Sequence, residues 1–186
     1  MTRIVVSPEQ FHLVAFDADV IASAARRVVD AVGLPADSDV RIEVDESSPL
    51  GSGRLVGLDP ITISVQSGAL EDAKRPRRLR VASVEDIVGR LLFRARDRLD
   101  PAFGEPPEEK AITLAQGAAW DAYSVGRCAR LGFGDTQARW RYHFRNRHGF
   151  SDVADATFDR LWSATGLTWP DLVAACAETE AARQPA

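Results

Sequence analysis

From Ser83 to Leu99 the apolar positions recur at three- and four-residue steps: Val84, Ile87, Val88, Leu91, Leu92, Ala95 and Leu99 fall on one stripe of a helix. This is the clearest amphipathic segment in the chain. Ser83, with Asp86 three residues later, reads as a box-like start, and Asp100-Pro101 reads as the end, because proline disfavours helical backbone in the residue before it. On the opposite face Arg90, Arg94 and Arg98 stand four apart, the pattern of a solvated cationic row.

Upstream, the β-branched run Arg3–Ser7 predicts a strand, and Val20, Ile21, Ala24, Ala25, Val28 and Val32 predict a helix from Asp17 or Asp19 to Val32, stopped by Gly33. Val40, Ile42 and Val44 alternate with Arg41, Glu43 and Asp45, the period of a strand with one wet face. Arg54–Leu58 and Ile61–Gln66 predict two further strands around Asp59-Pro60. Gly51 and Gly53 belong to a turn, since neither a helix start nor a Lys-Ser/Thr pair follows them. Gly68–Arg80, with Lys74, Arg75, Arg77, Arg78 and Arg80, is expected to be an exposed, mobile connection. Strand, helix, three strands and helix predict a two-layer α+β sandwich, antiparallel wherever connections are short.

The rest reads as helices: about Pro107–Leu131, rich in small residues; one capped by Asp135 and running to about His148; one from Ser151 or Asp152 to about Thr165; and one from Thr168 with Leu172, Val173 and Cys176 inward. Arg183–Ala186 is expected to fray. Residues 1–104 thus form a small mixed helix and antiparallel-sheet layer and residues 105–186 a C-terminal helical bundle, able to pack on the first as one unit.

At 186 residues, with 45% hydrophobic and 27% charged side chains, the composition is that of a globular protein. No apolar run reaches the length of a membrane helix, and the start lacks a leader pattern, so neither a membrane span nor secretion is expected. Cys128 and Cys176 have no metal-like spacing and are expected to be reduced, buried thiols of a cytoplasmic protein. The net charge of −4 is unevenly spread: residues 74–98 carry nine basic and three acidic side chains, and residues 126–150 carry six Arg and one Asp.

Chemistry-bearing clusters are sparse. Of His12, His143 and His148, the last two stand five apart on a helix and so do not share a face, and no nucleophile elbow or phosphate loop occurs, so no catalytic residue, metal or cofactor is assigned. The most unusual run is Arg139-Trp140-Arg141-Tyr142-His143-Phe144-Arg145-Asn146-Arg147-His148. Arginine interleaved with aromatics suits a surface that neutralises phosphates and stacks on bases. Trp140 and Phe144, four apart, equally suit a core stripe with the arginines on its flanks.

The order of elements over residues 17–104 resembles the minimal zincin-like metallopeptidases. The matching pieces are Val40-Arg41-Ile42-Glu43-Val44-Asp45, the segment Asp59–Leu70 and the helix from Val84 to Phe103. The resemblance implies a zinc-binding His-Glu-x-x-His on that helix; its place falls at Arg90, Leu91 and Arg94, so none of its functional residues carries over. What it implies here is a zincin-like scaffold without metal.

Three readings follow. The first is a non-catalytic binding or interaction protein, whose partner is another protein or a second copy. The second is a nucleic-acid or polyanion binder using residues 74–98 and 139–147, with Arg90, Arg94, Arg98, Arg139, Arg141, Arg145 and Arg147 as contacts. The third is an enzyme whose site is assembled where the halves meet, from scattered residues such as Asp121, Tyr123, Arg127 and His143. The absence of a catalytic motif leans away from the third.

Overall fold

The structure, a computed structural model, describes residues 2–134 and 136–183. Four strands, β1 (Ile4–Ser7), β2 (Val40–Asp45), β3 (Gly53–Leu58) and β4 (Ile61–Gln66), form one sheet in the order β1-β2-β4-β3. Helix α1 (Ala18–Val32) carries the chain from β1 to β2, and such a crossover makes that pair parallel. β2 and β4 are also parallel, with Val40, Ile42 and Val44 beside Ile61, Ile63 and Val65. Only β3 runs antiparallel, joined to β4 through Asp59-Pro60. The expectation of an antiparallel sheet is therefore corrected to a mixed one. Short connections do give antiparallel pairs, but β3 folds back to the outer edge of β4 and leaves β2 beside β4.

Alternation in β2 and β4 places the aliphatic side chains on one face, which α1 and α2 (Val81–Leu99) cover. Asp17 caps α1 by accepting from the amides of Asp19 and Val20, and Gly33 closes it at φ 72°. Val20, expected inward, is exposed. α2 starts two residues before Ser83: the Arg80 carbonyl accepts from the amides of Ser83 and Val84, so Ser83 already lies in the first turn and no side chain caps the helix. The basic connection is an ordered hairpin, β5 (Glu71–Asp72) with β6 (Arg75–Leu79), whose Arg77 carbonyl accepts from the Ala15 amide.

Four helices follow: α3 (Leu114–Arg130), α4 (Gln137–His148), α5 (Asp152–Ser163) and α6 (Trp169–Ala181). α3 begins seven residues later than its composition suggests, because Thr113 and Gln116 form a reciprocal capping box there and Glu109–Ala111 closes a separate 3-10 turn. Thr136 precedes α4; the expected cap, Asp135, lies outside the described residues, as does the expected fraying of residues 184–186. Val173 faces outward, in contrast to expectation. Among the described residues no helix is long and apolar enough to cross a membrane.

Buried apolar side chains form two clusters, one around the sheet, α1 and α2, the other around Phe103, Trp120, Phe144, Phe158 and Leu172. Phe103 belongs to the second cluster and Cys128 of α3 to the first, so the halves interlock.

In the second cluster His148 is buried, stacked on Phe144 at 3.9 Å, and bonded to both neighbouring helices. Its Nε2 donates to the Ala115 carbonyl at 2.9 Å, and its Nδ1 lies 2.7 Å from the Thr179 hydroxyl, which also donates to the Cys176 carbonyl at 2.9 Å. Burial lowers its pKa against the partial support of the Ala115 carbonyl; Arg183 lowers it further and Glu180 opposes. The unfolded chain takes up this proton near pH 6.5, the folded one only below that. Stability is therefore fully present above about pH 6.5 and falls as the pH drops from there towards the folded pKa. Urea midpoints between pH 7.5 and 5 should show this loss, and His148→Gln should flatten it.

Candidate functional site

The row Arg90, Arg94 and Arg98 does not face water. It points at α3 and the turn before it, and Arg94 is only 7% exposed. Arg90 donates to Asp121 at 2.9 Å, and Arg94 reaches the same oxygen at 3.5 Å and Glu109 at 3.1 Å. Arg98 donates to Glu109 at 3.1 Å and to the Pro107 carbonyl at 2.8 Å. The guanidinium carbons of Arg94 and Arg98 lie 4.6 and 5.1 Å from the Trp120 ring centre. Burial opposes the charge on Arg90, yet the Asp121 carboxylate beside it raises its pKa. The solvated reading of this row is thus corrected: three guanidiniums and two carboxylates form a continuous chain between the halves.

One turn round α2, Asp97 accepts from both terminal nitrogens of Arg127, at 2.7 and 2.6 Å, and from the Trp120 indole at 2.7 Å. Arg127 lies over Tyr123 and Phe93, 3.8 and 4.4 Å from their ring centres. The Tyr123 hydroxyl accepts from the Leu167 amide at 3.1 Å. Of the scattered set Asp121, Tyr123, Arg127 and His143, only Asp121 and His143 line a common cavity.

The α4 arginines divide. Arg141 pairs with Asp159 and Arg145 with Asp155, both on α5. The Asp155 carboxyl is held below its ordinary range by that hydrogen bond from Arg145. Arg139 lies at the mouth of a groove of about 770 Å³ between the β5–β6 hairpin and the start of α2. Lys74, Arg80 and Arg90 also line this groove, as do Glu71, Asp72 and Asp86, so its charges nearly balance. Arg147 is exposed and has no carboxylate within ion-pair distance among the described residues.

Trp140, His143, Phe144 and Arg147 share the α4 face that turns towards α2 and α3, at the spacing i, i+3, i+4, i+7. With Arg94, Glu109, Ile112, Leu114, Gly117 and Asp121 they line a cavity of about 300 Å³. Among the described residues the buried Trp140 indole N–H has no acceptor, and its ring lies 5.6 Å from His143 and 5.8 Å from the Arg90 guanidinium. Sequence reasoning noticed this run but paired Trp140 with Phe144 alone. The spacing of His143 and Arg147 was the available signal.

At the positions where a zincin motif would fall, Leu91 is buried in the sheet-side core while Arg90 and Arg94 hold Asp121 between them. Among the described residues no group of three His, Cys, Asp or Glu is placed to hold a metal. Burial pushes the Cys128 thiol up to about 12 and the Cys176 thiol up to about 11, which suits neither for attack as a thiolate. No family model matches the sequence, and no curated protein or solved structure is found to be similar to it.

Proposed function

We propose that the chain is a non-catalytic binding protein that takes a small ligand into the cavity between α2, α3 and α4. The observation that carries this reading is the convergence there of Arg147 and His143, which have no hydrogen-bonded side-chain partner among the described residues, with apolar walls from Ile112, Leu114 and Phe144. Asp97, Glu109 and Asp121 are by contrast paired, Cys128 and His148 are buried and Cys176 is half-buried, which speaks against catalysis. Free thiols suit the reducing cytoplasm. On the zincin-like reading, the cavity lies beside a helix whose metal positions hold the Arg90–Asp121–Arg94 bridge.

Gly117 offers a plug. A Cβ added there meets nothing nearer than Ile112 at 3.9 Å, so a leucine side chain has room to enter the cavity. In a thermal-shift panel of small anions, cations and neutral aromatics, a compound at 100 times its Kd should raise the wild-type Tm by roughly 5–10 °C. Gly117→Leu should abolish that shift. Failure of every compound, or an equal shift in the plugged variant, sinks the reading.

A second reading, a protein partner or self-association, is supported by Tyr142 and Phe150, 59% and 66% exposed with ring centres 6.2 Å apart. Sedimentation that depends on concentration in the wild type and not in Phe150→Ser would favour it. Nucleic acid has less support, because Arg90, Arg94, Arg98, Arg141 and Arg145 are already paired.

A further inference from the structure

We propose that this cavity selects a small organic monoanion, a carboxylate carried on an aromatic or branched apolar body. The inference rests on the binding reading above and adds the ligand's charge and shape. Three features point to it.

The first is local charge. Of the charged side chains that line the cavity, Arg94 is tied to both Asp121 and Glu109, and Arg147 is the one cation with no carboxylate partner among the described residues. Arg90 and Asp86 line the hairpin groove and not this cavity. An anion therefore meets a guanidinium that is not already engaged. A guanidinium presents two parallel N–H groups to a carboxylate, the geometry that makes such pairs strong. His143, one turn before Arg147, has no hydrogen-bond partner among the described residues and supplies a second donor beside it.

The second feature is the apolar part of the lining. Ile112, Leu114 and Phe144 are apolar, and a purely inorganic anion would leave that surface wet. The third is size. About 300 Å³ is the low end for ligand cavities, enough for a single ring or a branched chain and too small for a nucleotide.

The test uses the full chain and four probes: phenylacetate, its neutral relative phenylacetamide, the cation phenethylamine, and inorganic phosphate. Binding is read by tryptophan fluorescence, with Trp140→Phe to assign the signal, and by calorimetry. Phenylacetate should bind about tenfold or more tighter than each of the others. Arg147→Met should remove that advantage, leaving the weak binding of phenylacetamide unchanged. Because Arg147 is exposed and unpaired, the variant should keep the wild-type Tm. Absence of phenylacetate binding overturns the proposal, as does equal affinity for any other probe or no effect of Arg147→Met. If phenylacetamide or phenethylamine binds best and Gly117→Leu abolishes it, the ligand class is wrong while the binding reading stands. If no probe binds and the wider panel also fails, both fall.

Discussion

Replacing Asp97 with alanine is expected to cost the fold about 3–5 kcal/mol, the cost of breaking a buried ion pair from one side. Asp97 is 6% exposed and satisfies three donors, two from Arg127 and one from the Trp120 indole. Its loss strands a guanidinium whose Nε already has no acceptor, held between Phe93 and Tyr123 where it cannot swing out to water. Asp97→Asn keeps an acceptor and should cost less. The double variant Asp97→Leu with Arg127→Met should recover much of the loss, because apolar groups of similar volume replace a buried pair with little penalty. Urea denaturation at pH 7.5 measures all three; an alanine variant within about 1 kcal/mol of wild type would show that this pair does not hold α2 to α3.

The second large effect is expected at Gly126, where α3 crosses α5. A Cβ built there would fall 2.8 Å from the carbonyl carbon of Trp162 and 2.9 Å from its Cα, backbone atoms that cannot turn aside. Gly126→Ala should therefore lose about 2–3 kcal/mol, the upper part of the range for overpacking. It should do so even though alanine is favoured over glycine within a helix by about 1 kcal/mol. One turn on, Arg130 donates to the carbonyls of Trp162 and Ala164 and so satisfies the C-terminal end of α5; separating the helices would strain those bonds as well. Gly117→Ala, in the same helix with open space before it, should instead gain about 0.5–1 kcal/mol. Opposite signs from one chemical change would confirm that the contact, and not propensity, decides at Gly126.

The periodic parts of this fold were legible in one dimension. The inward faces of β2 and β4, the Gly33 stop of α1 and the apolar stripe of α2 from Val84 to Ala95 need only residue spacing and lie where that spacing places them, whereas Leu99, at the end of the stripe, is exposed. Strand direction was not legible, because it depends on β3 passing outside β4, a choice with no local signature. The start of α3 was hidden for a different reason: Pro107 is a good first helical residue, and only the Thr113–Gln116 box shows where the helix begins.

The candidate site was half visible. Arginines at every fourth position look the same whether they meet water or buried carboxylates, and the partner of Arg90 lies 31 residues away on a helix of unknown orientation. The α4 run stood out by composition. Which of its side chains face a cavity was set by α5, whose Asp155 and Asp159 take Arg145 and Arg141 and leave Arg147 turned to the other side.

Gly89 gives the helix contact between the halves a further meaning. It sits in the buried side of α2 with the Cys128 sulfur where a side chain would be, 2.8 Å from a built Cβ, so α3 rests on bare backbone of α2 and its thiol enters the sheet-side core. A fragment cut at residue 104 would lose that plug and expose the guanidiniums that now lie against Trp120. α2 is thus common to both halves, one side of it covering the sheet and the other meeting α3.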